Sequence, residues 1–285
     1  MIDGHTTLYG LFAHPAAHSL SPAMHNLAFD RLGINARYLA FDVTPETLPA
    51  AIDGLRALHM GGVNLSMPLK QAVLPLLDHI DPLAQLAHSV NTIVNRNGEL
   101  TGYTTDGIGL VQALPQALVL SNCEAVLFGA GGAAQSAALA LAQNGLAKLT
   151  IVNRTQTSAQ ALAEHVRANA PKCQIIVLAL SDTASVNDAV VNARVVINAT
   201  SLGMAEQAAL SPLNDPSVLT PQHVVLDMVY APLHTRLLAQ AQAAGVTHAL
   251  NGLALLVAQG AASFKLWAGQ TMPTDAVEAH LATLL

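Results

Sequence analysis

The first hundred residues alternate short apolar runs with longer segments of helical periodicity. The runs predict strands, and the Asn97-Gly98 pair between the last two is typical of a two-residue β-hairpin turn. The predicted strands are Leu8–Phe12, Tyr38–Val43, Gly62–Met67, Ser89–Val94 and Leu100–Thr104. Helices are predicted over Pro22–Leu32 and Pro45–Leu58. Strands that alternate with helices indicate an α/β unit with a mostly parallel sheet.

The same alternation restarts after Cys123 and continues to about residue 250. The predicted strands are Ala125–Phe128, Lys148–Val152, Ile175–Leu178, Val195–Asn198 and Val224–Asp227. Helices are predicted over Ala133–Gln143 and Ser158–Ala168. The segment Leu253–Leu285 predicts two helices, broken near Met272-Pro273, that pack back on the first region. We therefore expect domains at 1–105 and 106–251, hinges near Asp106 and Asn251, and a returning segment at 252–285.

A glycine-rich turn lies between the first strand and the first helix of the second region. Gly129, Gly131 and Ala134 fit the pattern G-x-G-x-x-A, in which the first glycine permits a tight turn and the second lets a pyrophosphate approach the backbone. The N-terminus of the helix adds N–H donors and a partial positive charge. The candidate cofactor residues are Gly129, Ala130, Gly131, Gly132 and Ala133. The alternative is a βα turn that is glycine-rich but binds nothing.

The end of the next strand indicates which dinucleotide would bind. NAD-selective folds usually carry an acidic residue about 20 residues after the glycines, where it binds the ribose 2′-hydroxyl. This chain has Asn153, Arg154 and Thr155 there instead. A guanidinium binds a phosphate through a planar fork, so these residues favour NADP over NAD. The alternative is an ordinary surface arginine.

Composition narrows the class of protein further. Of 285 residues, 52% are hydrophobic and only 11% are charged, and the net charge is −6. This apolar content excludes intrinsic disorder, and the acidic balance disfavours binding to nucleic acid. No uninterrupted apolar run reaches the length of a membrane span, and the N-terminus resembles no secretion signal, so we expect a cytoplasmic protein without a membrane partner.

Neither the cysteines nor the histidines form a metal-binding pattern. Cys123 and Cys173 have no CxxC spacing, which excludes a zinc motif and a disulfide framework. His14 and His18 have helical spacing, but Pro15 disfavours a helix between them. We therefore predict no metal site.

Several further segments, taken in order with the glycine turn between them, form a specific combination. They are His18–Pro22 with His25-Asn26, Gly62–Lys70, Val90–Thr92, Thr105–Gly107, Asn198–Met204, Asp227–Tyr230 and Gln259. Together they resemble the shikimate dehydrogenase family over nearly the whole chain. The resemblance implies an N-terminal α/β substrate domain, a Rossmann-type dinucleotide-binding domain and C-terminal helices that return to the first domain.

The resemblance also implies an activity and residue roles. The activity is the reversible NADPH-dependent reduction of 3-dehydroshikimate to shikimate by a monomer or a homodimer. Lys70 is the implied catalytic acid/base, paired with Asp106. The remaining implied contacts are Ser19 and Ser21 with the substrate carboxylate, Ser66, Asn91, Asp106 and Gln259 with the ring hydroxyls, Tyr230 between substrate and nicotinamide, and Thr200, Met228 and Gly252 with the cofactor.

The chemistry agrees with these roles, because hydride delivery to a ketone leaves an alkoxide that must receive a proton. Each residue also has a structural alternative: Lys70 could begin a surface helix, Asp106 could be a helix cap, and Ser19 and Ser21 could cap the helix that contains Pro22.

Two departures from the family pattern, Ser158 in place of a second arginine and Ala254, leave open a quinate or shikimate dehydrogenase that uses NAD or both cofactors. A nucleotide-sensing module without catalysis is a third hypothesis, which the intact Lys70 and Asp106 disfavour.

Overall fold

The computed structural model describes residues 2–66 and 68–285. Met67, the predicted last residue of the third strand, lies outside the described residues. The chain divides into two compact units, the first up to Thr105 together with Val257–Leu284, and the second from Asp106 to Leu256.

The first unit alternates strands and helices along the chain. Its strands are β1 (Thr7–Ala13), β2 (Ala36–Asp42), β3 (Gly62–Leu65), β4 (His79–Ile80), β5 (Thr92–Arg96) and β6 (Glu99–Tyr103). Its helices up to this point are α1 (Ser21–Leu32), α2 (Leu48–Ala57), α3 (Leu69–Ala72) and α4 (Pro82–Ala87). The pattern missed β4 and α4, because such short elements show no periodicity.

The strands of the first unit form one sheet in the order β2-β1-β3-β5-β6-β4. β1 runs parallel to β2 and β3, whereas β5 is antiparallel to both β3 and β6. β4 also runs parallel to β6, so three of the five strand pairs among the described residues of this sheet are parallel, and the prediction of a mostly parallel sheet is confirmed. The antiparallel β5–β6 pair follows from the predicted hairpin: Asn97 and Gly98 both have positive φ, and a turn this short can join only antiparallel strands.

The second unit is a regular alternation of strands and helices. Its strands are β7 (Glu124–Phe128), β8 (Lys148–Asn153), β9 (Gln174–Ala179), β10 (Val195–Asn198), β11 (Val224–Asp227) and β12 (His248–Leu250). Its helices are α5 (Asp106–Ala113), α6 (Gly132–Gln143), α7 (Gln156–Asn169), α8 (Thr183–Asn192) and α9 (Arg236–Ala243). All strand pairs are parallel, in the order β12-β11-β10-β7-β8-β9. This is the doubly wound Rossmann order, as predicted.

The central strands of the second unit are uniformly apolar because both of their faces are buried. β10 and β11 are buried along their whole lengths, because helices cover both faces of a parallel sheet. On one face the core includes Leu127, Ile151 and Ile197, and on the other it includes Val126, Val196 and Val225. A continuous apolar run is thus the expected signature of these strands.

Two C-terminal helices complete the chain, α10 (Gly252–Ala268) and α11 (Thr274–Ala282), with the predicted break between them. The boundary between the two units falls inside α10, between Leu256 and Val257. In the first unit α11 packs against α1, so the predicted return of the C-terminal segment is confirmed. Among the described residues, no helix is both long and apolar enough to span a membrane.

Candidate active site

One edge of the first sheet collects several predicted site residues. Because β1 and β3 are parallel, their carboxyl ends meet at this edge. β1 leads into the loop that carries Ser19, and Ser66 follows directly after β3. The backbone N–H of Ser66 donates to the carbonyl oxygen of Phe12 at 3.1 Å, which joins the ends of the two strands.

Asn91 and Lys70 lie at the same edge. Because β5 is antiparallel to β3, the start of β5 lies beside the end of β3. Asn91 directly precedes β5, and the N–H of Leu65 at the end of β3 donates to the carbonyl oxygen of Asn91 at 2.8 Å. The N–H of Val90 donates to the carbonyl oxygen of Lys70 at 2.9 Å. Backbone hydrogen bonds thus bring Lys70 and Asn91 to one edge, although they are far apart in sequence.

The Asn91 side chain is buried and held by its neighbours. Its Oδ1 accepts from the backbone N–H of Thr105 at 2.9 Å, and lies 3.0 Å from the hydroxyl of Thr92 and 3.2 Å from that of Thr105. Its Nδ2 donates to the Oγ1 of Thr105 at 2.9 Å and to the Oε1 of Gln259 at 3.4 Å. Asn91 and Gln259, both predicted substrate residues, are therefore in contact.

Sequence reasoning missed part of this polar cluster. The Nδ2 of Asn64 lies 3.1 Å from both the Thr92 hydroxyl and the Ser263 hydroxyl, and the phenol of Tyr38 donates to the Oδ1 of Asn64 at 2.8 Å. Asn64, Tyr38 and Ser263 are all buried. One sequence signal was available for Ser263, which lies one helical turn after Gln259 and therefore on the same face of α10.

Neither Ser19 nor Ser21 occupies the N-cap position of the helix that contains Pro22. The N-cap residue of α1 is Leu20, with no side-chain cap hydrogen bond, and Ser21 is the first helical residue. The N–H of Ser21 donates to the Oγ of Ser19 at 3.2 Å. That hydrogen bond uses a lone pair of Ser19 and leaves the hydroxyl proton to donate to an acceptor.

His25, from the predicted motif on α1, is completely buried among aromatic rings. Its ring stacks on Tyr38 at a centroid distance of 4.5 Å, and Phe264 and Trp267 lie close by. Neither ring nitrogen has a hydrogen-bond partner among the described residues. Burial lowers the pKa of His25 from 6.5 to about 3, with a smaller opposing influence from Asn64. The phenol of Tyr38 stays neutral, because burial raises its pKa.

This burial predicts a pH-dependent stability. Between pH 6.5 and about 3 the unfolded chain protonates His25 while the folded chain does not. The contribution of neutral, buried His25 to the free energy of unfolding is therefore complete above pH 6.5. It is lost by about 1.4 kcal/mol per pH unit as the pH falls toward 3. We therefore expect the free energy of unfolding, measured with urea, to change with pH more steeply in wild type than in His25→Gln. The two slopes against pH should differ by about 1.4 kcal/mol per pH unit between about pH 6 and about pH 4. His280→Gln, on an exposed position of α11, is the matched control, and equal slopes for wild type and His25→Gln would contradict the prediction.

The glycine turn of the second unit lies at the carboxyl end of β7, as predicted. Gly129 has φ +114°, and a Cβ there would lie 2.9 Å from the carbonyl oxygen of Ala199. A Cβ on Gly131 would meet nothing within 4 Å, so the space beside this backbone is open. α6 begins at Gly132 with no side-chain cap. An open turn and an uncapped helix N-terminus fit a dinucleotide pyrophosphate, with Ala130 and Ala133 in the same segment.

Asn153 ends β8, and Arg154 and Thr155 follow it; the carboxyl end of β8 adjoins that of β7 in the parallel sheet. The Nδ2 of Asn153 donates to the carbonyl oxygen of Thr155 at 3.0 Å, which shapes this turn. Arg154 is exposed, and Ser158 is exposed in the first turn of α7. The guanidinium is therefore accessible to a phosphate at the edge that carries the glycine turn.

A buried polar pair supports the remaining cofactor candidates. The Nδ2 of Asn198 donates to the Oδ1 of Asp227 at 2.9 Å, and the Oδ1 of Asn198 accepts from the N–H of Thr200 at 3.0 Å. Burial raises the pKa of Asp227, while hydrogen bonds from Thr235, Val229 and Asn198 oppose that rise. These contacts fix the loops after β10 and β11, and therefore hold Thr200 in place.

Met228 and Gly252 are brought together in the same unit. A Cβ on Gly252 would lie only 2.3 Å from the carbonyl oxygen of Met228, so a larger residue would displace one of these backbones. The N–H of Gly252 also donates to the carbonyl oxygen of Val229 at 3.1 Å.

The implied catalytic residues lie in the first turns of two helices in different units. Lys70 lies in α3 of the first unit, half-buried, and Asp106 begins α5 of the second unit, also half-buried. Tyr230 follows β11 in the second unit, and burial raises the pKa of its phenol, which keeps it neutral. The pairing of Lys70 with Asp106 and the role of Tyr230 stay predictions. Among the described residues, no group of three or more His, Cys, Asp or Glu side chains is arranged to hold a metal ion.

Comparisons with known proteins agree along the whole chain. Three family profiles match: "Shikimate dehydrogenase substrate binding domain" at residues 11–93, "Shikimate / quinate 5-dehydrogenase" at 112–211 and "Shikimate 5'-dehydrogenase C-terminal domain" at 252–282. Shikimate dehydrogenase (NADP(+)) of Alkaliphilus metalliredigens is 40% identical over 278 residues, which cover 97% of this chain and 96% of the relative. The chain belongs to the shikimate dehydrogenase family. The family resemblance stated from the sequence is thereby confirmed.

Solved structures of shikimate dehydrogenases share the fold of this chain. The enzyme from Listeria monocytogenes, in complex with shikimate and NAD, matches with a TM-score of 0.93 and 36% identity over 98% of each chain. The Thermus thermophilus enzyme, in complex with NADP(H) and shikimate, matches with a TM-score of 0.85 and 35% identity over 98% of this chain and 100% of that one. Relatives with this fold are thus known in complex with either nicotinamide cofactor.

Proposed function

We propose that the protein catalyses the reversible NADPH-dependent reduction of 3-dehydroshikimate to shikimate. The observation that carries the proposal is the buried Asn91 side chain, which contacts Gln259 at a sheet edge that also holds Ser66 and Lys70. Fixed amides and hydroxyls recognise a polyol well, because their orientation is already set before the ligand binds. In this proposal the first unit binds the substrate and the second unit binds NADP.

The substrate contacts follow from the chemistry of each side chain. Ser19 and Ser21 donate hydroxyl protons to the carboxylate, and Tyr230 lies beside the ring. Ser66, Asn91, Asp106 and Gln259 bind the ring hydroxyls. Hydroxyl and amide groups can both donate to and accept from these hydroxyls, which suits a ligand rich in them.

The second unit supplies matching groups for the cofactor. The N–H groups of Gly129–Ala133 bind the pyrophosphate at the start of α6. Asn153, Arg154 and Thr155 bind the 2′-phosphate, for which a guanidinium is the best-matched side chain. Thr200, Met228 and Gly252 contact the cofactor. NADPH, when bound, supplies the hydride for the ketone carbon.

Lys70 carries the proton in this reaction. Its ammonium donates a proton to the oxygen of the reduced carbonyl, and in the reverse direction the amine accepts that proton from the hydroxyl. Asp106 orients the ammonium toward that oxygen.

The test is a set of initial rates for shikimate and quinate, each with NADP⁺ and NAD⁺. We expect the highest kcat/KM for shikimate with NADP⁺. A higher value for quinate with NAD⁺ would replace the proposal by its alternative, a quinate or shikimate dehydrogenase with NAD or dual cofactor use. Ser158 and Ala254 are the observations behind that alternative, and Ser158 offers no second cation for a 2′-phosphate.

Loss of the Ser19 hydroxyl should weaken substrate binding alone. A hydrogen bond to a charged acceptor is worth about 1.5–3 kcal/mol, so Ser19→Ala should raise the Kd of shikimate by about 10–150-fold. Calorimetry with shikimate and with NADP⁺ measures both affinities, and the NADP⁺ affinity should not change. Ser185→Ala, on α8, is the control. An unchanged shikimate affinity in Ser19→Ala would remove Ser19 from the site.

A further inference from the structure

We infer that Ser263 is a positioning residue for substrate recognition, because it holds the side-chain amides of Asn91 and Gln259 in place. It acts on them through the hydroxyls of Thr92 and Thr105 and through the backbone of Gln259. The inference rests on the proposed function, in which those two amides bind the ring hydroxyls. Ser263 is completely buried in α10 of the first unit. Its Oγ lies 3.1 Å from the carbonyl oxygen of Gln259, one helical turn earlier.

The Oγ of Ser263 also reaches both threonines that contact Asn91. It lies 2.8 Å from the Oγ1 of Thr92 and 3.2 Å from the Oγ1 of Thr105. The Nδ2 of Asn64 is 3.1 Å away. One hydroxyl on α10 thus connects the helix that carries Gln259 with β5 and with the end of the loop after β6.

The donors and acceptors around Ser263 can be counted. The carbonyl oxygen of Gln259 only accepts, so it takes the single hydroxyl proton of Ser263. Ser263 must then accept in its threonine contacts. The hydroxyl protons of Thr92 and Thr105 have two acceptors within reach, the Oγ of Ser263 and the Oδ1 of Asn91. With Ser263 present, each threonine proton has an acceptor of its own.

Without the Ser263 hydroxyl, both threonine protons would compete for the Oδ1 of Asn91. That oxygen already accepts from the backbone N–H of Thr105 at 2.9 Å, and this N–H cannot reverse its role. The backbone N–H also fixes which end of the Asn91 amide is oxygen, so Nδ2 faces the Oγ1 of Thr105 at 2.9 Å and the Oε1 of Gln259 at 3.4 Å. Crowding of donors at Oδ1 would shift the Asn91 amide and loosen its contact with Gln259.

Ser263→Ala should therefore raise the KM for shikimate by about 3–10-fold, the effect of losing one neutral hydrogen bond. The KM for NADP⁺ and kcat should change less than about twofold, because Ser263 contacts neither reacting group. Thr92→Val, which removes one of the two competing hydroxyl protons at constant shape, should raise KM less than Ser263→Ala does. The double variant should show less than the product of the two single effects, since both act on Asn91.

Asn95→Ala is the matched control in the same unit. The Nδ2 of Asn95 donates to the carbonyl oxygen of Met60 at 2.8 Å, outside this cluster, so its loss should lower Tm but leave the KM for shikimate unchanged. If Ser263→Ala lowers Tm as Asn95→Ala does but leaves KM unchanged, Ser263 is merely structural. Independent effects of Ser263→Ala and Thr92→Val would also overturn the inference. A wild-type protein that does not oxidise shikimate would instead refute the proposed function, before any variant is compared.

Discussion

Lys70→Ala should lower kcat by about 10²–10⁴-fold, the usual contribution of a positioned acid/base. The alkoxide formed on hydride transfer would then depend on water for its proton. The KM for shikimate should change little if the ammonium acts mainly in the transition state. Steady-state kinetics in both directions, with Tm as a check on folding, measure the effect.

Two further variants distinguish proton transfer from charge alone. Lys70→Arg keeps the positive charge, but a guanidinium does not release its proton near neutral pH, so this variant should also be strongly impaired. Lys172→Ala, at an exposed position, is the control for loss of a lysine. A Lys70→Ala protein with near-normal kcat would eliminate Lys70 as the acid/base.

Arg154→Asp should shift cofactor preference from NADP toward NAD. Loss of one charge-assisted contact of about 1.5–3 kcal/mol lowers kcat/KM for NADP⁺ by about 10–150-fold, and repulsion between the new carboxylate and the 2′-phosphate adds to this loss. The same carboxylate can accept a hydrogen bond from the 2′-hydroxyl of NAD⁺. The NADP⁺/NAD⁺ ratio of kcat/KM is the quantity to measure.

Ser158→Arg should shift that ratio in the opposite direction. Ser158 is exposed in the first turn of α7, close in sequence to Arg154, so an arginine there can add a second cation for the phosphate. Wild type should therefore prefer NADP⁺ only moderately. A ratio that is unmoved in Arg154→Asp would show that Arg154 does not bind the 2′-phosphate.

The sequence predicted best those elements whose apolar pattern is long or flanked by turn signals. The buried strands β7, β8, β10 and β11 and the Asn97-Gly98 hairpin were all predicted in place. β12, a strand of three residues, was missed because so short a run carries no period. The antiparallel direction of β5 relative to β3 also lay outside the pattern, since strand pairing depends on the whole sheet.

The polar cluster around Asn91 was only partly predictable. Asn91 and Gln259 were found from motifs, but the roles of Asn64, Thr92 and Ser263 depend on distances between residues far apart in the chain. Nothing in the sequence says that the hydroxyl of Ser263 faces β5. His25 shows the same limit, because the rings of Tyr38, Phe264 and Trp267 that enclose it come from β2 and α10, which are far apart in the chain.

Direct hydride transfer between shikimate and NADP is tested most directly by an isotope measurement. Shikimate deuterated at the carbon that bears the oxidised hydroxyl is incubated with the purified protein and NADP⁺, and both products are analysed by mass spectrometry. We expect 3-dehydroshikimate and reduced cofactor in equal amounts, with the deuterium recovered in the reduced cofactor. Deuterium released to solvent, or no reduced cofactor formed from shikimate, would contradict the account.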